Sequence, residues 1–167
     1  CLVGSEMCIR DRLNCINSFN TNASYQNEIV AADKNYVTIH NSDQPAEVGW
    51  ISWNIPYKYS KGKLVAATTS TTTVKSLIAN NKKDKYSKYF AKNQFVTAKK
   101  LTFYNGSKVA YTVPKGKVVT LTKLSLSKDV IYLQFKYGKK TGWAHVNGTK
   151  YNFSKPWFQG VNARLAG

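Results

Sequence analysis

The chain has 167 residues, of which 43% are hydrophobic and 13% aromatic, so it carries enough apolar surface for a folded core and is not globally disordered. No apolar run approaches the roughly 20 residues that a membrane-spanning helix requires, so no membrane span is expected. The formal net charge is +17, which favours an anionic partner.

The charge is distributed unevenly along the chain. Residues 1–50 carry three bases and six acids, whereas residues 51–167 carry 22 bases and two acids, Asp84 and Asp129. All but one of those 22 bases are Lys, and the exception is Arg164. Because Lys is a compact point charge without the planar fork of Arg, this pattern favours a diffuse field for polyanions over bidentate recognition of single phosphates. The alternative is a well-solvated surface that binds nothing.

The first twelve residues, Cys-Leu-Val-Gly-Ser-Glu-Met-Cys-Ile-Arg-Asp-Arg, resemble the translation of a transposon adapter used in sequencing libraries. The resemblance covers the whole tract and implies an artefact joined to a real fragment, so the natural N-terminus and any signal peptide are expected to be missing. A signal-peptide remnant fits poorly, because charged residues interrupt its apolar part. The cysteines, Cys1, Cys8 and Cys15, form an odd, clustered set that argues against a disulfide framework.

Residues 13–57 are interpreted as an incomplete upstream segment. Residues 13–26 are rich in Asn, Ser and Thr and predict a loop, whereas residues 35–40 and 48–53 predict strands. Pro56 is expected to break the second pattern. Gly49-Trp50 precedes Gly142-Trp143 by 93 residues, so this segment is a candidate for the end of a preceding module.

Residues 58–92 are interpreted as a basic connector. The Thr- and Ser-rich stretch 64–73 fits either an edge strand or a linker. Val74, Leu77 and Ile78 have helical spacing, and so do Tyr86, Tyr89 and Phe90, which predicts one short helix within residues 74–92.

Residues 93–151 carry the steadiest β pattern. Short strands are predicted at 95–98, 101–104, 108–113 and 118–124, with turns at Asn105-Gly106 and at 114–117. The stretch 130–147 alternates in polarity and predicts a hairpin that turns at Gly138. The predicted fold class is mainly β, a small barrel with a less regular N-terminal region, followed by a tail at 152–167.

The alternation in the hairpin assigns its side chains to two faces. Ile131, Leu133, Phe135 and Tyr137 fall on one face, and Val130, Tyr132, Gln134 and Lys136 on the other. Gly142 and Trp143 on the returning strand are predicted to be structural, with Trp143 as the central core residue.

Four pieces of this region resemble the GW module, a member of the bacterial SH3-like (SH3b) cell-wall-binding group. They are Phe-Val-Thr-Ala-Lys at 95–99, Gly-Lys-Val-Val-Thr-Leu-Thr at 116–122, Tyr-Leu-Gln-Phe at 132–135, and Gly142-Trp143. The resemblance covers about 93–151 and implies an SH3-like barrel in a secreted surface protein of a Gram-positive bacterium, attached to teichoic or lipoteichoic acid. Ala144-His145 departs from the pattern, which usually has an aliphatic and a polar residue there.

No catalytic centre is expected. His40 ends a predicted strand, as a zinc ligand does in one type of cell-wall amidase, but a catalytic zinc needs about three protein ligands and the chain has only two His. Pairing Cys15 with His40 as a nucleophilic site would require a third, orienting group. We therefore predict no enzyme activity, no metal site and no cofactor.

The candidate site is a basic surface with interleaved aromatic rings. The predicted polyanion-binding residues are Lys82, Lys83, Lys85, Lys88, Lys99, Lys100, Lys136, Lys139, Lys140 and Lys150, and the predicted stacking residues are Tyr137, Tyr151 and Trp157. The expected function is non-catalytic attachment to anionic glycans at the cell wall, with peptidoglycan as a further partner and nucleic acid as a disfavoured one. The alternatives are the wall-targeting tail of a peptidoglycan hydrolase and an SH3b domain that binds peptidoglycan peptides.

Overall fold

Antiparallel strands make up most of the computed structural model, which describes residues 26–78, 85–127, 130–146 and 156–161. These residues form twelve strands and one short helix, and the predicted mainly β fold is confirmed. Among them, no helix is long and apolar enough to cross a membrane.

The strands form two sheets. The first sheet has the order β1 (Gln26–Ala32), β2 (Val37–Asp43), β3 (Ile51–Ser60) and β4 (Lys63–Ala66), and β6 (Lys75–Ser76) also pairs with β3. The second has the order β5 (Ser70–Thr71), β10 (Val118–Ser127), β11 (Val130–Tyr137), β12 (Lys140–Val146), β8 (Leu101–Asn105) and β9 (Lys108–Val113), and β7 (Gln94–Val96) also pairs with β10. The helix α1 (Ser87–Phe90) precedes β7. Closure of the second sheet into an SH3-like barrel stays a prediction.

The hairpin of β11 and β12 turns at the predicted residue, and the side chains of β11 lie on the predicted sides of the sheet. Gly138 has a φ of 58°, and Tyr137 pairs with Lys140 across a two-residue loop. This left-handed backbone favours glycine, which has no Cβ to clash. Leu133 and Phe135 are fully buried, whereas Tyr132 on the opposite face is 37% exposed.

Phenylalanine rings fill the core on the inner face of the second sheet. Phe95 lies at the centre, with its ring centroid 4.9 Å from that of Phe158 and 5.9 Å from that of Phe135. Phe103 packs against Phe135 at 5.4 Å and stacks on Tyr111 at 5.0 Å. The tilted and edge-on arrangements are those that aromatic quadrupoles favour, so this cluster adds to the stability that burial alone provides.

The interpretation of residues 58–92 as a connector is wrong for its described part. The segment supplies β5, which pairs with β10, and β6, which pairs with β3, so it joins both sheets. The side chain of Asn93 donates to the Val74 carbonyl oxygen and accepts from the Ser76 N–H, each at 2.9 Å. A short helix, α1, is present at the second of the two stretches with helical spacing, whereas the first stretch contains β6.

The N-terminal region is more regular than expected. It carries the five-stranded sheet, and the ten-residue β3 runs through Pro56, which was expected to break it. Pro56 lacks an N–H, but its carbonyl oxygen accepts from the Ala67 N–H at 2.8 Å, so the strand continues with only one donor lost.

Residues 156–161 are not a tail. Phe158 and Val161 are 1% and 4% exposed, and Phe158 forms a bridge with Thr97. The Trp157 N–H donates to the Glu47 carbonyl oxygen at 2.9 Å. The segment therefore contacts the turn between β2 and β3 as well as the second sheet. Residues 152–155 and 162–167 lie outside the described residues.

The two Gly-Trp pairs occupy different structural positions. Gly49 has a φ of 74° in the turn before β3, and Trp50 is 40% exposed. Gly142 lies within β12 and is buried. This difference does not favour Gly49-Trp50 as the end of a preceding copy. Trp143 is half-buried, so its prediction as the central core residue is wrong; the buried Phe side chains take that place.

Gly142 permits close packing between β12 and the hairpin of β8 and β9. A Cβ atom built there would lie 2.9 Å from the Phe103 Cβ, 3.0 Å from the Tyr111 Cε1 and 3.1 Å from the Ala110 Cβ. We expect Gly142→Ala to lower the free energy of unfolding by about 1–3 kcal/mol, because two of the obstructing atoms are Cβ atoms that cannot rotate away. Urea denaturation checks this value.

The matched control is Gly138→Asn at the hairpin turn. A Cβ there meets nothing within 4 Å, and Asn tolerates the left-handed backbone. We expect the control to change the free energy of unfolding by less than about 1 kcal/mol. Equal losses in the two variants would show that the packing at Gly142 is not tight.

Candidate functional site

Exposed lysines dominate the part of the chain that begins at residue 85. The described ranges 85–127, 130–146 and 156–161 contain twelve Lys and no Asp or Glu. Every one of these lysines is exposed. Seven of them were predicted to bind polyanions: Lys85, Lys88, Lys99, Lys100, Lys136, Lys139 and Lys140. Lys82, Lys83, Lys150 and Tyr151 lie outside the described residues.

Three lysines gather at one end of the β11–β12 hairpin. Lys139 lies in the two-residue turn, Lys140 begins β12, and Lys136 is paired with Thr141 and Thr120 across neighbouring strands. We call these three residues the hairpin-tip lysines. With no acid in the surrounding described ranges, their fields add and attract anions.

Lysines also lie over aromatic rings in the segment around α1. The Lys85 Nζ lies 4.9 Å from the ring centroid of Tyr86, and the Lys88 Nζ lies 5.5 Å from that of Tyr89. Such exposed cation–π contacts contribute about 0.5–1 kcal/mol each. The predicted interleaving of Lys and Tyr is therefore a set of local contacts within this segment.

Two of the predicted stacking rings belong to the edge of the core. Tyr137 is half-buried and stacks on Tyr111 with 6.3 Å between ring centroids. Trp157 is half-buried and packs edge-on against Phe158 at 6.4 Å. Both side chains pack against the core cluster, so their prediction as ligand-stacking residues does not match their placement.

A different set of rings lies on the outer face of the second sheet. Tyr104 on β8 is paired with Trp143 on β12, and Tyr132 on β11 is paired with His145 on β12. Tyr104 and Tyr132 are 42% and 37% exposed, His145 is exposed and Trp143 is half-buried. The ring centroids of Tyr132 and His145 are 6.1 Å apart. We call these four residues the outer platform.

Polar and cationic side chains continue the row beyond the outer platform. Gln134 is paired with Trp143 on one side and with Lys123 on the other. The Thr122 hydroxyl donates to the Gln134 Oε1 at 2.9 Å, which holds the side-chain amide in one orientation. The NH₂ group of that amide can still donate hydrogen bonds to a ligand. Since directly paired residues share one face of a sheet, Lys123 and Gln134 face the same side as Trp143.

Sequence reasoning missed the outer platform, although part of the signal was available. The alternation in β11 already places Tyr132 with Gln134 and Lys136 on the face away from the core. The register that brings Tyr104 beside Trp143 joins strands that are distant in sequence, and no local pattern specifies it.

His40 belongs to a structural hydrogen bond. Its Nδ1 lies 2.7 Å from the Oδ1 of Asn54, directly opposite on β3. Among the described residues, no group of three or more His, Cys, Asp or Glu side chains gathers in a way that could hold a metal ion. Cys15 lies outside those residues, so its pairing with His40 stays untested.

Two buried acids lie at the end of β2 and in the turn that follows. Asp43 and Glu47 are 2% and 4% exposed, and the Asp43 Oδ2 and Glu47 Oε2 atoms have no hydrogen-bond partner among the described residues. Burial raises the pKa of Asp43 to about 7, the hydrogen bond from the Gln44 N–H opposes this shift, and the charge of Glu47 adds to it. This environment makes the stability of the fold depend on pH.

Comparison with known proteins adds no relative: no protein-family model matches the chain, and searches of curated proteins and of solved structures found no match.

Proposed function

We propose that this chain is a non-catalytic attachment module that holds anionic cell-wall glycopolymers, such as teichoic or lipoteichoic acid, through its lysine-rich second sheet. The observation that carries the proposal is the set of twelve exposed lysines in ranges that contain no acid. Neutralising a polymer phosphate with a lysine releases condensed counterions, which favours binding at low salt. The resemblance to the GW module supports an extracellular location at the wall.

The hairpin-tip lysines provide the sharpest test of the proposal. We expect Lys139→Glu combined with Lys140→Glu to weaken binding to teichoic acid at least about tenfold and to reduce the salt slope by about two, one for each lost phosphate contact. Sedimentation with purified Gram-positive walls between about 50 and 200 mM salt measures both quantities.

The matched control makes the same change of charge on the first sheet. Lys58 and Lys63 are exposed on β3 and β4, outside the acid-free ranges. We expect Lys58→Glu combined with Lys63→Glu to alter binding less than about threefold, because it leaves the second sheet intact. Equal effects of the two double variants would reject the assignment of binding to the hairpin tip.

Walls stripped of teichoic acid separate this proposal from recognition of peptidoglycan peptides. The proposal predicts loss of binding to stripped walls for the unaltered chain. Full binding to stripped walls would instead indicate a module that recognises peptidoglycan peptides. Tight binding of single-stranded DNA, with no binding to intact walls, would reject attachment to the wall.

A further inference from the structure

The outer platform is an exposed aromatic surface. The proposed attachment uses only lysines, so it does not explain what these aromatic residues do. Tyr104 and Trp143 occupy neighbouring strands, which lie roughly 5 Å apart in a sheet. Tyr132 lies two residues along β11 from Gln134, the partner of Trp143, so it is a diagonal neighbour of Trp143 at roughly 7 Å. The three rings therefore lie near one another on the same outer face of the second sheet.

The charge around this surface indicates the chemistry of its ligand. Lys123 ends the cross-strand row that starts at Tyr104, and Lys136 lies two residues along β11 from Gln134. Two cations and the Gln134 amide thus border one side of the aromatic rings. No acid occurs in the ranges that form this sheet after residue 85, so the border is complementary to an anion.

A pyranose ring has one face of C–H groups and a rim of hydroxyl groups. The C–H face packs well on the electron-rich face of an aromatic ring, and the rim needs hydrogen-bond donors and acceptors at the edge. Both are present here: the rings of Tyr104, Tyr132 and Trp143 offer aromatic faces, and His145 and the neighbouring Gln134 offer polar groups at their edge. Because the bordering cations are lysines and not arginines, they suit scattered anionic groups better than the planar, bidentate contacts favoured in nucleic-acid recognition.

We propose that the outer platform is a saccharide subsite, which stacks pyranose rings of an anionic glycan while Lys123 and Lys136 hold the charged groups. This inference rests on the proposed attachment to anionic polymers and narrows it to polymers that contain sugar rings. Polymers of equal charge without sugar rings bind through the lysines alone.

The test compares two polyanions, a heparin octasaccharide and an inorganic polyphosphate of similar charge. The variant is Tyr104→Ala combined with Tyr132→Ala, which retains every lysine. We expect it to weaken octasaccharide binding about tenfold, by analogy with the loss caused when a nucleobase loses its aromatic stacking partner. Polyphosphate binding should change less than about twofold, and the salt slope should remain the same for both ligands.

The control removes two exposed rings outside the second sheet, one just before β2 and one on β3. Tyr36 and Tyr59 are 42% and 58% exposed, and Tyr36→Ala combined with Tyr59→Ala should leave both affinities unchanged. Amide chemical shifts of the unaltered protein give a measurement that needs no variant. The octasaccharide alone should shift the amides of residues 104, 132 and 143, whereas both ligands should shift those of residues 136, 139 and 140.

Three outcomes would overturn the inference. The first is an equal loss of affinity for both polyanions in the Tyr104→Ala, Tyr132→Ala variant, and the second is no loss of affinity for either. The third is a loss of affinity confined to a single-stranded oligothymidine, which would assign the platform to nucleic acid. If the unaltered chain binds neither polyanion, the attachment proposal fails. The platform then stands only if neutral chitohexaose changes the tryptophan fluorescence in a way that Trp143→Phe abolishes, and it fails otherwise.

Discussion

Replacing Phe158 with Ala is expected to lower the free energy of unfolding by about 3–5 kcal/mol. The ring is 1% exposed and lies 4.9 Å from the ring of Phe95 and 5.3 Å from that of Phe135, centroid to centroid. Its removal leaves a cavity in the aromatic core that the two strands bearing those neighbours cannot close. It also weakens the attachment of residues 156–161, whose Trp157 N–H bonds to the Glu47 carbonyl oxygen.

Guanidinium denaturation followed by circular dichroism measures the loss. Trp50→Ala is the control, since Trp50 is large but 40% exposed, and it should cost less than about 1 kcal/mol. A comparably small loss for Phe158→Ala would mean that residues 156–161 do behave as a tail, as the sequence pattern predicts, and that Phe158 does not contribute to the core.

The local features of the second sheet were predictable because short-range physics determines them. Asn105-Gly106 predicts a tight turn, and Gly106 has a φ of 60° between β8 and β9. Alternation predicts the buried side of β11, where Ile131, Leu133 and Phe135 are fully buried. The exposure of the lysines follows from the cost of burying an unpaired charge.

The long-range features were not predictable in the same way. β5 and β6 have two residues each, too few for a periodic signal, and their pairing with β10 and β3 is specified by the packing of both sheets. Phe158 is a single apolar residue beside Trp157 in a polar stretch, and nothing local indicates that it enters a core made by residues some 60 positions earlier, such as Phe95.

The same division applies to the candidate site. The hairpin-tip lysines follow from one predicted turn, so they could be named from the sequence. The alternation of aromatic residues and lysines in the sequence predicts that Tyr137 stacks on a ligand. The alternation within β11 places the same side chain on the face of Leu133 and Phe135, which is the core face. The outer platform forms only because the strands lie in the order β11, β12, β8 in the sheet. β8 and β12 are neighbours in this order although about 35 residues separate them in the sequence.

Asp43 makes the stability of this protein depend on pH. The side chain is 2% exposed, its Oδ1 accepts from the Gln44 N–H at 2.7 Å, and its Oδ2 has no partner in the part of the chain that the structure describes. Glu47, whose Oε2 atom is likewise buried without a partner among the described residues, lies close enough for its charge to act on Asp43. An uncharged carboxyl group can be buried at much lower cost than a carboxylate, and burial is therefore the main cause of the raised pKa.

The sign of the effect follows from proton linkage. The pKa of Asp43 is about 7 in the fold against an ordinary value of 3.8, so the folded state binds more protons than the unfolded state between those values. The stabilising contribution is fully present below about pH 4 and is lost as the pH rises through about 7. The difference between the two pKa values corresponds to roughly 4 kcal/mol of unfolding free energy.

We expect Asp43→Asn to remove this dependence. The Asn oxygen retains the bond from the Gln44 N–H, and the side chain carries no charge at any pH. The variant should match the unaltered protein at pH 4 and exceed its unfolding free energy by up to roughly 4 kcal/mol at pH 8. Urea denaturation at half-unit pH intervals gives the difference between the two proteins, in which the contributions of groups distant from Asp43 cancel. Glu47→Gln should move the midpoint of the pH dependence to lower pH, because it removes the like charge that adds to the raised pKa of Asp43.

A difference between Asp43→Asn and the unaltered protein that stays constant from pH 4 to pH 8 would show that Asp43 is ionised in the fold at all these values, and that its surroundings are far more polar than the structure shows.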